Sequence, residues 1–153
     1  MIFVNKENEL QDIKYDYERL LKAFKTLVES LETYRDHEKM IAPGHKLYQV
    51  VSLAVKDSII IRFSYTFETL WKYVNLYLKQ YHGKIVSGDA CDVFRACLEL
   101  HLLSAGDVTV CLEMMNRRRQ TVYSENKKVA NLVVTKMGDY IAMIEKILKT
   151  MRP

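Results

Sequence analysis

The strongest pattern in the chain is an apolar stripe in a long helical stretch from about Leu47 to Tyr81. At about 100° per residue, its apolar side chains fall within roughly one third of a turn. They are Ile60, Phe63, Phe67, Leu70, Val74, Tyr77 and Tyr81. A helix of some 30 residues is roughly 45 Å long, so we expect the other helices to pack along it.

The opposite face of the same helix mixes aromatic, apolar and charged side chains. One apolar face can build the core, and a second face of mixed character suits a protein partner. We therefore predict a partner or dimer surface at Arg62, Tyr65, Glu68, Thr69, Lys72 and Tyr73. The alternative is a helix that is buried on all sides within a monomer.

A first helix is predicted from about Asn5 or Asn8 to about Arg35, because apolar residues recur at helical spacing. Between His37 and Lys46 this pattern breaks, and Pro43-Gly44 marks a turn. His37 and His45 lie in this connection and are interpreted as loop residues. They are not expected to bind a metal, since no carboxylate or thiol cluster accompanies them.

Three shorter helices are predicted in the second half of the chain. Gly83 is expected to end the long helix in a left-handed conformation. A third helix runs from about Ala90 to Leu103, with Asp89 or Ser87 as its N-cap. A fourth helix is predicted from an N-cap at Asp107 to about Arg118, and a fifth from about Glu125 to Met151. Gly138 in the fifth helix is expected to permit a close contact with another helix.

The amino-acid composition agrees with a protein made of long helices. Only two prolines and five glycines occur in 153 residues, fewer than a β protein with many turns requires. Hydrophobic residues make up 49% and charged residues 27%, which argues against disorder. We predict an all-α protein, a single domain over residues 1–153, built as an antiparallel bundle of about five helices around one long central helix.

Charge and cysteine content narrow the function classes. The net charge of +4 permits contact with nucleic acid without requiring it. Cys91, Cys97 and Cys111 form no Cys-x-x-Cys motif and no histidine pair supports them, so we expect free thiols, no metal and no cofactor. With no signal peptide and no apolar run of about 20 residues, the expected location is the cytoplasm, without a membrane partner.

One stretch carries candidate chemistry, Asn116 to Tyr123 at the predicted junction of the fourth and fifth helices. Each guanidinium offers about five N–H donors and a fixed positive charge, which suits phosphate oxygens. We predict phosphate, nucleotide or partner binding at Arg117, Arg118, Arg119, Thr121 and Tyr123. The alternative is a helix C-terminus at which cations offset the negative end of the dipole.

The segment Arg62-Phe63-Ser64-Tyr65-Thr66-Phe67-Glu68-Thr69-Leu70-Trp71-Lys72 resembles the Arg-Phe-Glu-Tyr-Thr-Phe-Glu-x-x-Trp-Lys signature of the nucleotidyltransferase substrate-binding family. These are small all-helical proteins of the HEPN superfamily. Two further segments are similar to the family in order and spacing, and the resemblance extends over nearly the whole chain. They are Asp92-Val93-Phe94-Arg95-Ala96 and Leu112-Glu113-Met114-Met115.

The resemblance implies a HEPN-like bundle that forms homodimers and associates with a separate minimal nucleotidyltransferase. Many relatives belong to toxin–antitoxin pairs. In those pairs the HEPN protein is a ribonuclease. Its motif is an arginine followed, after four to six residues, by a histidine, and a tyrosine often stands two positions after the histidine. The partner silences it by transferring AMP to that tyrosine.

This chain departs from the ribonuclease motif. Placed without gaps, Arg118 takes the arginine position, Tyr123 the histidine position and Glu125 the tyrosine position, and no histidine follows His101. Tyrosine, with a pKa near 10, is a poor proton acceptor at neutral pH compared with histidine, near 6.5. The spacing from Arg95 to His101 also fits, but inside a predicted helix the two side chains lie on different faces, so we treat it as coincidence.

The preferred hypothesis is a non-catalytic, dimeric partner subunit of a minimal nucleotidyltransferase, with no confident catalytic residue. The alternative is a HEPN ribonuclease toxin whose motif, at Arg118 and Tyr123, is degenerate. A third hypothesis, a helical adaptor that binds nucleotide or RNA, rests only on the three arginines.

Overall fold

The computed structural model describes residues 2–123 and 127–153, with side chains from 9 to 121 and from 127 to 153. These residues contain five helices and no strand, which confirms the all-α prediction. The helices are α1 (Ile2–Met40), α2 (Tyr48–His82), α3 (Ala90–Glu99), α4 (Ala105–Tyr123) and α5 (Lys127–Thr150).

The central helix is α2, and the contacts along it fix the arrangement of the bundle. The Arg62 guanidinium donates to the carbonyl of Thr26 at 2.8 Å, whereas Tyr48, earlier in α2, stacks on His37, later in α1. These two helices are therefore antiparallel. Nine α2 side chains are buried, and they supply the middle of the core: Ser52, Ile59, Phe63, Thr66, Phe67, Leu70, Tyr73, Val74 and Leu78.

Helix α5 closes the bundle against α1, α2 and α4. Phe63 stacks on Tyr140 with ring centroids 5.6 Å apart, and the Tyr73 hydroxyl donates to the carbonyl of Met151 at 2.6 Å. α5 thus runs parallel to α2. The Lys146 ammonium lies 2.7 Å from Asp107 at the start of α4, so α4 and α5 are antiparallel.

Two helix ends confirm the predictions made from local sequence. Gly83 has φ 60° and ends α2 in the left-handed region, where glycine is favoured. Asp89, the first of the two proposed caps, accepts from the Asp92 amide at 3.3 Å, and Asp92 accepts from the Asp89 amide at 3.2 Å. This reciprocal pair fixes the start of α3.

Other predicted boundaries were wrong. The N-cap of α4 is Ser104, whose hydroxyl accepts from the amide of Asp107, the predicted cap, at 3.1 Å. α4 continues to Tyr123 instead of ending near Arg118, since no glycine or proline stops it. His101 lies beyond the end of α3 with φ 57°, so it is not inside the third helix.

The end of α1 also differs from the prediction. The helix runs to Met40, and His37 lies inside it, buried at 6% exposure, because its ring stacks on Tyr48 at 5.2 Å. His45 does lie in the connection, where its Nδ1 accepts from the amide of Leu47 at 3.1 Å. Across the described ranges, no helix is long and apolar enough to cross a membrane.

Candidate functional site

The segment Arg62 to Lys72 forms the middle of α2, and several of its polar side chains contact one another or α4. Residues three and four apart on a helix are neighbours, so Glu68 reaches both Trp71 and Lys72. Its carboxylate accepts from the indole Nε1 of Trp71 at 3.0 Å and lies 3.0 Å from the Lys72 ammonium. One carboxylate therefore holds an aromatic ring and a cation in place.

Helix α4 adds Arg118 to this cluster. Its Nε donates to the hydroxyl of Ser64 at 3.0 Å, and its Nη1 lies 3.2 Å from the Glu68 carboxylate. Ser64 occupies the position at which the chain departs from the family signature given above, where that signature has glutamate. We call Ser64, Glu68, Trp71, Lys72 and Arg118 the Glu68 site.

The charge state of Glu68 follows from these contacts. Partial burial alone would raise the pKa of the Glu68 carboxyl. The hydrogen bonds from Trp71 and Lys72 and the charge of Arg118 outweigh burial, so the pKa is lowered from its ordinary value. Glu68 is consequently ionised at neutral pH and offsets the charge of Arg118.

A small cavity of about 210 Å³ adjoins the Glu68 site between α2, the start of α3 and α4. Its walls combine aromatic, acidic and basic side chains. They are Phe67, Glu68, Trp71, Asp89, Ala90, Met115, Arg118 and Arg119. Both signs of charge are present, so the cavity suits a polar ligand or a partner side chain more than a simple anion.

The three adjacent arginines lie on different sides of α4. Consecutive residues on a helix are rotated by about 100°, and the guanidinium groups point in different directions. Arg118 faces α2, Arg117 donates to the Gln120 side chain at 2.9 Å, and Arg119 is exposed at the rim of the cavity. Arg117 and Arg119 line one further cavity, and Arg118 and Arg119 line the cavity at the Glu68 site, so the binding role predicted for the three arginines stays a prediction.

Arg117 belongs to a network between α4 and α5. The Tyr140 hydroxyl is buried and donates to the Glu113 carboxylate at 2.7 Å. Burial raises the pKa of Tyr140, as does this hydrogen bond, while the nearby charge of Arg117 lowers it without cancelling the effect. The contacts of Ser64, Glu113 and Tyr140 around these arginines could not be predicted from sequence, since no local pattern marks residues that position an arginine.

Of the remaining residues predicted at this end of α4, Thr121 is half-buried, and its hydroxyl donates to the carbonyl of Arg118 at 2.9 Å. That contact lies within α4, and the binding role predicted for Thr121 stays a prediction. The side chain of Tyr123 and the whole of Glu125 lie outside the described residues.

The predicted partner surface on α2 is exposed in one part and buried in another. Ile61 and Tyr65 are 69% and 54% exposed, and Lys72 is exposed as well. Thr69 is half-buried and donates to the carbonyl of Tyr65 at 2.9 Å. The assignment of Tyr73 to this surface was wrong, because the ring is buried against the end of α5.

Comparisons with known proteins agree with this architecture. A family model described as "Nucleotidyltransferase substrate binding protein like" matches residues 15–153. No curated protein matches the chain.

Two solved structures are similar to it. A protein from Thermus thermophilus is 25% identical with a TM-score of 0.61, over 83% of this chain and 99% of its own. A tri-AMPylated HEPN toxin from Shewanella oneidensis, solved in complex with MNT antitoxin, is 16% identical with a TM-score of 0.61, over 86% and 94%.

Proposed function

Because the chain belongs to the family of nucleotidyltransferase substrate binding protein like proteins, we propose that it is the non-catalytic, dimeric partner subunit of a minimal nucleotidyltransferase. The assembly stated for the Shewanella protein, a HEPN toxin with an MNT antitoxin, is of the kind proposed for this chain. The support for the partner is the family membership, and the Glu68 site supports the non-catalytic role.

The observation that carries the non-catalytic role is the pairing of Arg118. Under ungapped placement, Arg118 takes the position of the arginine in the ribonuclease motif. A catalytic arginine stabilises charge that develops on the substrate, whereas this guanidinium is held by the Glu68 carboxylate at 3.2 Å and the Ser64 hydroxyl at 3.0 Å. Its charge is already offset by a side chain of the same protein.

The proton-transfer half of the motif is missing as well. Tyr123 takes the histidine position, and the four histidines of the chain all precede it. A tyrosine with a pKa near 10 exchanges protons poorly at neutral pH. Together with the paired arginine, this favours a structural role for the motif region.

The homodimer is supported by the exposed half of the α2 surface. Ile61 and Tyr65 place a large aliphatic and an aromatic side chain in solvent, one turn apart on the same helix. An interface with two-fold symmetry would bring this patch against its own copy and remove it from water. Lys72 and Arg119, on the two helices that border the cavity, remain for contact with the nucleotidyltransferase and with phosphate or nucleotide.

Calorimetric titration with a minimal nucleotidyltransferase from the same organism tests the partner. We expect a complex whose affinity falls about tenfold in Lys72→Ala and Arg119→Ala, since charges at an interface contribute about this much. Lys25→Ala, an exposed lysine on α1, is the matched control and should bind as the unmodified chain does. Absence of binding by the unmodified chain would refute the partner assignment.

Light scattering tests the dimer. The expected mass is twice the 18.0 kDa of one chain. Ile61→Glu should produce a monomer, and Ile85→Glu, at a site that is 77% exposed away from this patch, should not. A monomer at micromolar concentration for the unmodified chain would contradict the dimer without affecting the partner assignment.

A further inference from the structure

A second cavity, of about 330 Å³, lies at another place in the bundle, between α1, α2 and α5. It shares no residue with the Glu68 site, and the proposed function makes no use of it. Its lining residues are Leu31, Tyr34, Arg35, Lys56, Asn131, Val134 and Thr135.

The cavity has an apolar floor and a polar rim. Leu31 and Val134 are 5% and 7% exposed and form part of the core. Asn131 and Thr135 are exposed on α5, with the half-buried ring of Tyr34 across from them on α1. The exposed lining is more polar than apolar, and its apolar part is small. Small-molecule sites combine apolar surface with a few polar groups that fix the orientation of the ligand.

Two cations converge on the same cavity. The Lys56 ammonium donates to the Asn131 side-chain oxygen at 3.0 Å and lies 5.8 Å from the centroid of the Tyr34 ring. Arg35 also lines the cavity. Within the described ranges, neither Lys56 nor Arg35 forms an ion pair with a carboxylate, so an anion between them would gain two charge-assisted contacts.

Gly138 of α5 lies next to the Arg35 guanidinium. A Cβ atom at this position would come 3.3 Å from the Arg35 Nη2. Because glycine has no side chain, the guanidinium of Arg35 can pack against α5 at this position, beside the cavity. Among the residues that the structure describes, no backbone atom of another helix lies within 4 Å of that Cβ, so the close helix contact expected at Gly138 stays a prediction.

We propose that this cavity binds a small phosphate monoester carried on a single aromatic ring or base. The phosphate contacts Arg35 and Lys56, because guanidinium and ammonium groups match its oxygens. The ring lies on Leu31 and Val134 beside Tyr34. A volume of about 330 Å³ is at the small end of ligand pockets, which favours a compact molecule over a polymer.

Binding of phenyl phosphate, followed by NMR titration, tests the proposal with a simple probe. We expect saturable shifts at the amides of Tyr34, Lys56 and Asn131. Inorganic phosphate and phenol should each bind at least tenfold more weakly, because each lacks one half of the ligand. Equal affinity for inorganic phosphate would overturn the role of the apolar floor, and no shift with any probe would overturn the site.

Substitutions separate this site from a general attraction of anions to a basic protein. Arg35→Ala and Lys56→Ala should each weaken phenyl phosphate binding at least tenfold, and Lys25→Ala should leave it within twofold. Gly138→Ala retains both cations and displaces only the guanidinium, so a few-fold loss is expected. Unchanged affinity in both cation variants, with native circular dichroism spectra, would refute the proposal.

Discussion

The guanidinium of Arg118 lies 3.2 Å from the carboxylate of Glu68, which joins α4 to the middle of α2. The two segments that carry the family resemblance and the candidate chemistry thereby meet in space. Both side chains are about one third exposed, at 33% and 31%. The pair is therefore sheltered enough to have a defined geometry, while a partner molecule can still reach it.

Arg118→Ala should destabilise the protein by about 1–2 kcal/mol, since Arg118 makes charge-assisted hydrogen bonds to two helix-bound groups. Arg119→Ala, at the exposed neighbour, should change the free energy of unfolding by less than about 0.5 kcal/mol. Urea denaturation measures both. In a double-mutant cycle with Glu68→Gln we expect a coupling energy of about 1 kcal/mol. Equal costs for Arg118→Ala and Arg119→Ala would contradict a specific role for Arg118.

Acid should destabilise the protein in part through Glu68. The pKa of Glu68 is lower in the folded state than its ordinary value. Between these two pKa values the folded state therefore binds fewer protons than the unfolded state. The stabilisation is complete above the ordinary pKa and is lost as the pH falls through the folded pKa. Glu68→Gln should therefore lose less stability than the unmodified chain below about pH 5. Glu32→Gln, an exposed carboxyl on α1, is the control, and identical pH profiles for Glu68→Gln and the unmodified chain would disprove this.

Gly138→Ala should raise the free energy of unfolding by up to about 1 kcal/mol, because alanine is favoured over glycine within a helix. The 3.3 Å contact that a Cβ would make is with the end of the Arg35 side chain, which can move away. Thermal denaturation followed by circular dichroism measures the change. A loss of stability would mean that the contact between α1 and α5 is tighter than this geometry indicates.

The sequence predicted correctly those helix ends that are determined by residues close to them in the chain. Gly83 and the Asp89 cap were located correctly, since each end is fixed by residues within one turn. Tyr73 could not be placed, because Tyr17 and the chain end at Met151, both distant in sequence, cover it. The end of α4 was also missed, since Gln120 to Tyr123 contains no residue that stops a helix. The pairing of Arg118 with Glu68 could not be predicted either, because the two residues are distant in sequence.

The purified chain should not cleave RNA detectably at neutral pH. Arg118 lacks a histidine partner in sequence, and loss of acid–base help costs about a hundredfold or more in rate. Tyr123→His recreates an Arg-x4-His spacing and should gain weak cleavage that depends on Arg118. A fluorogenic RNA assay measures both variants. Efficient cleavage by the unmodified chain, abolished by Arg118→Ala, would favour the ribonuclease toxin instead.

The most direct test of the partner assignment is native mass spectrometry of the complex that copurifies with this chain from its native host. The account predicts one assembly that contains two copies of this chain, each of 18.0 kDa, together with a minimal nucleotidyltransferase. A chain that purifies without the nucleotidyltransferase, while both proteins are present in the same cell extract, would contradict it.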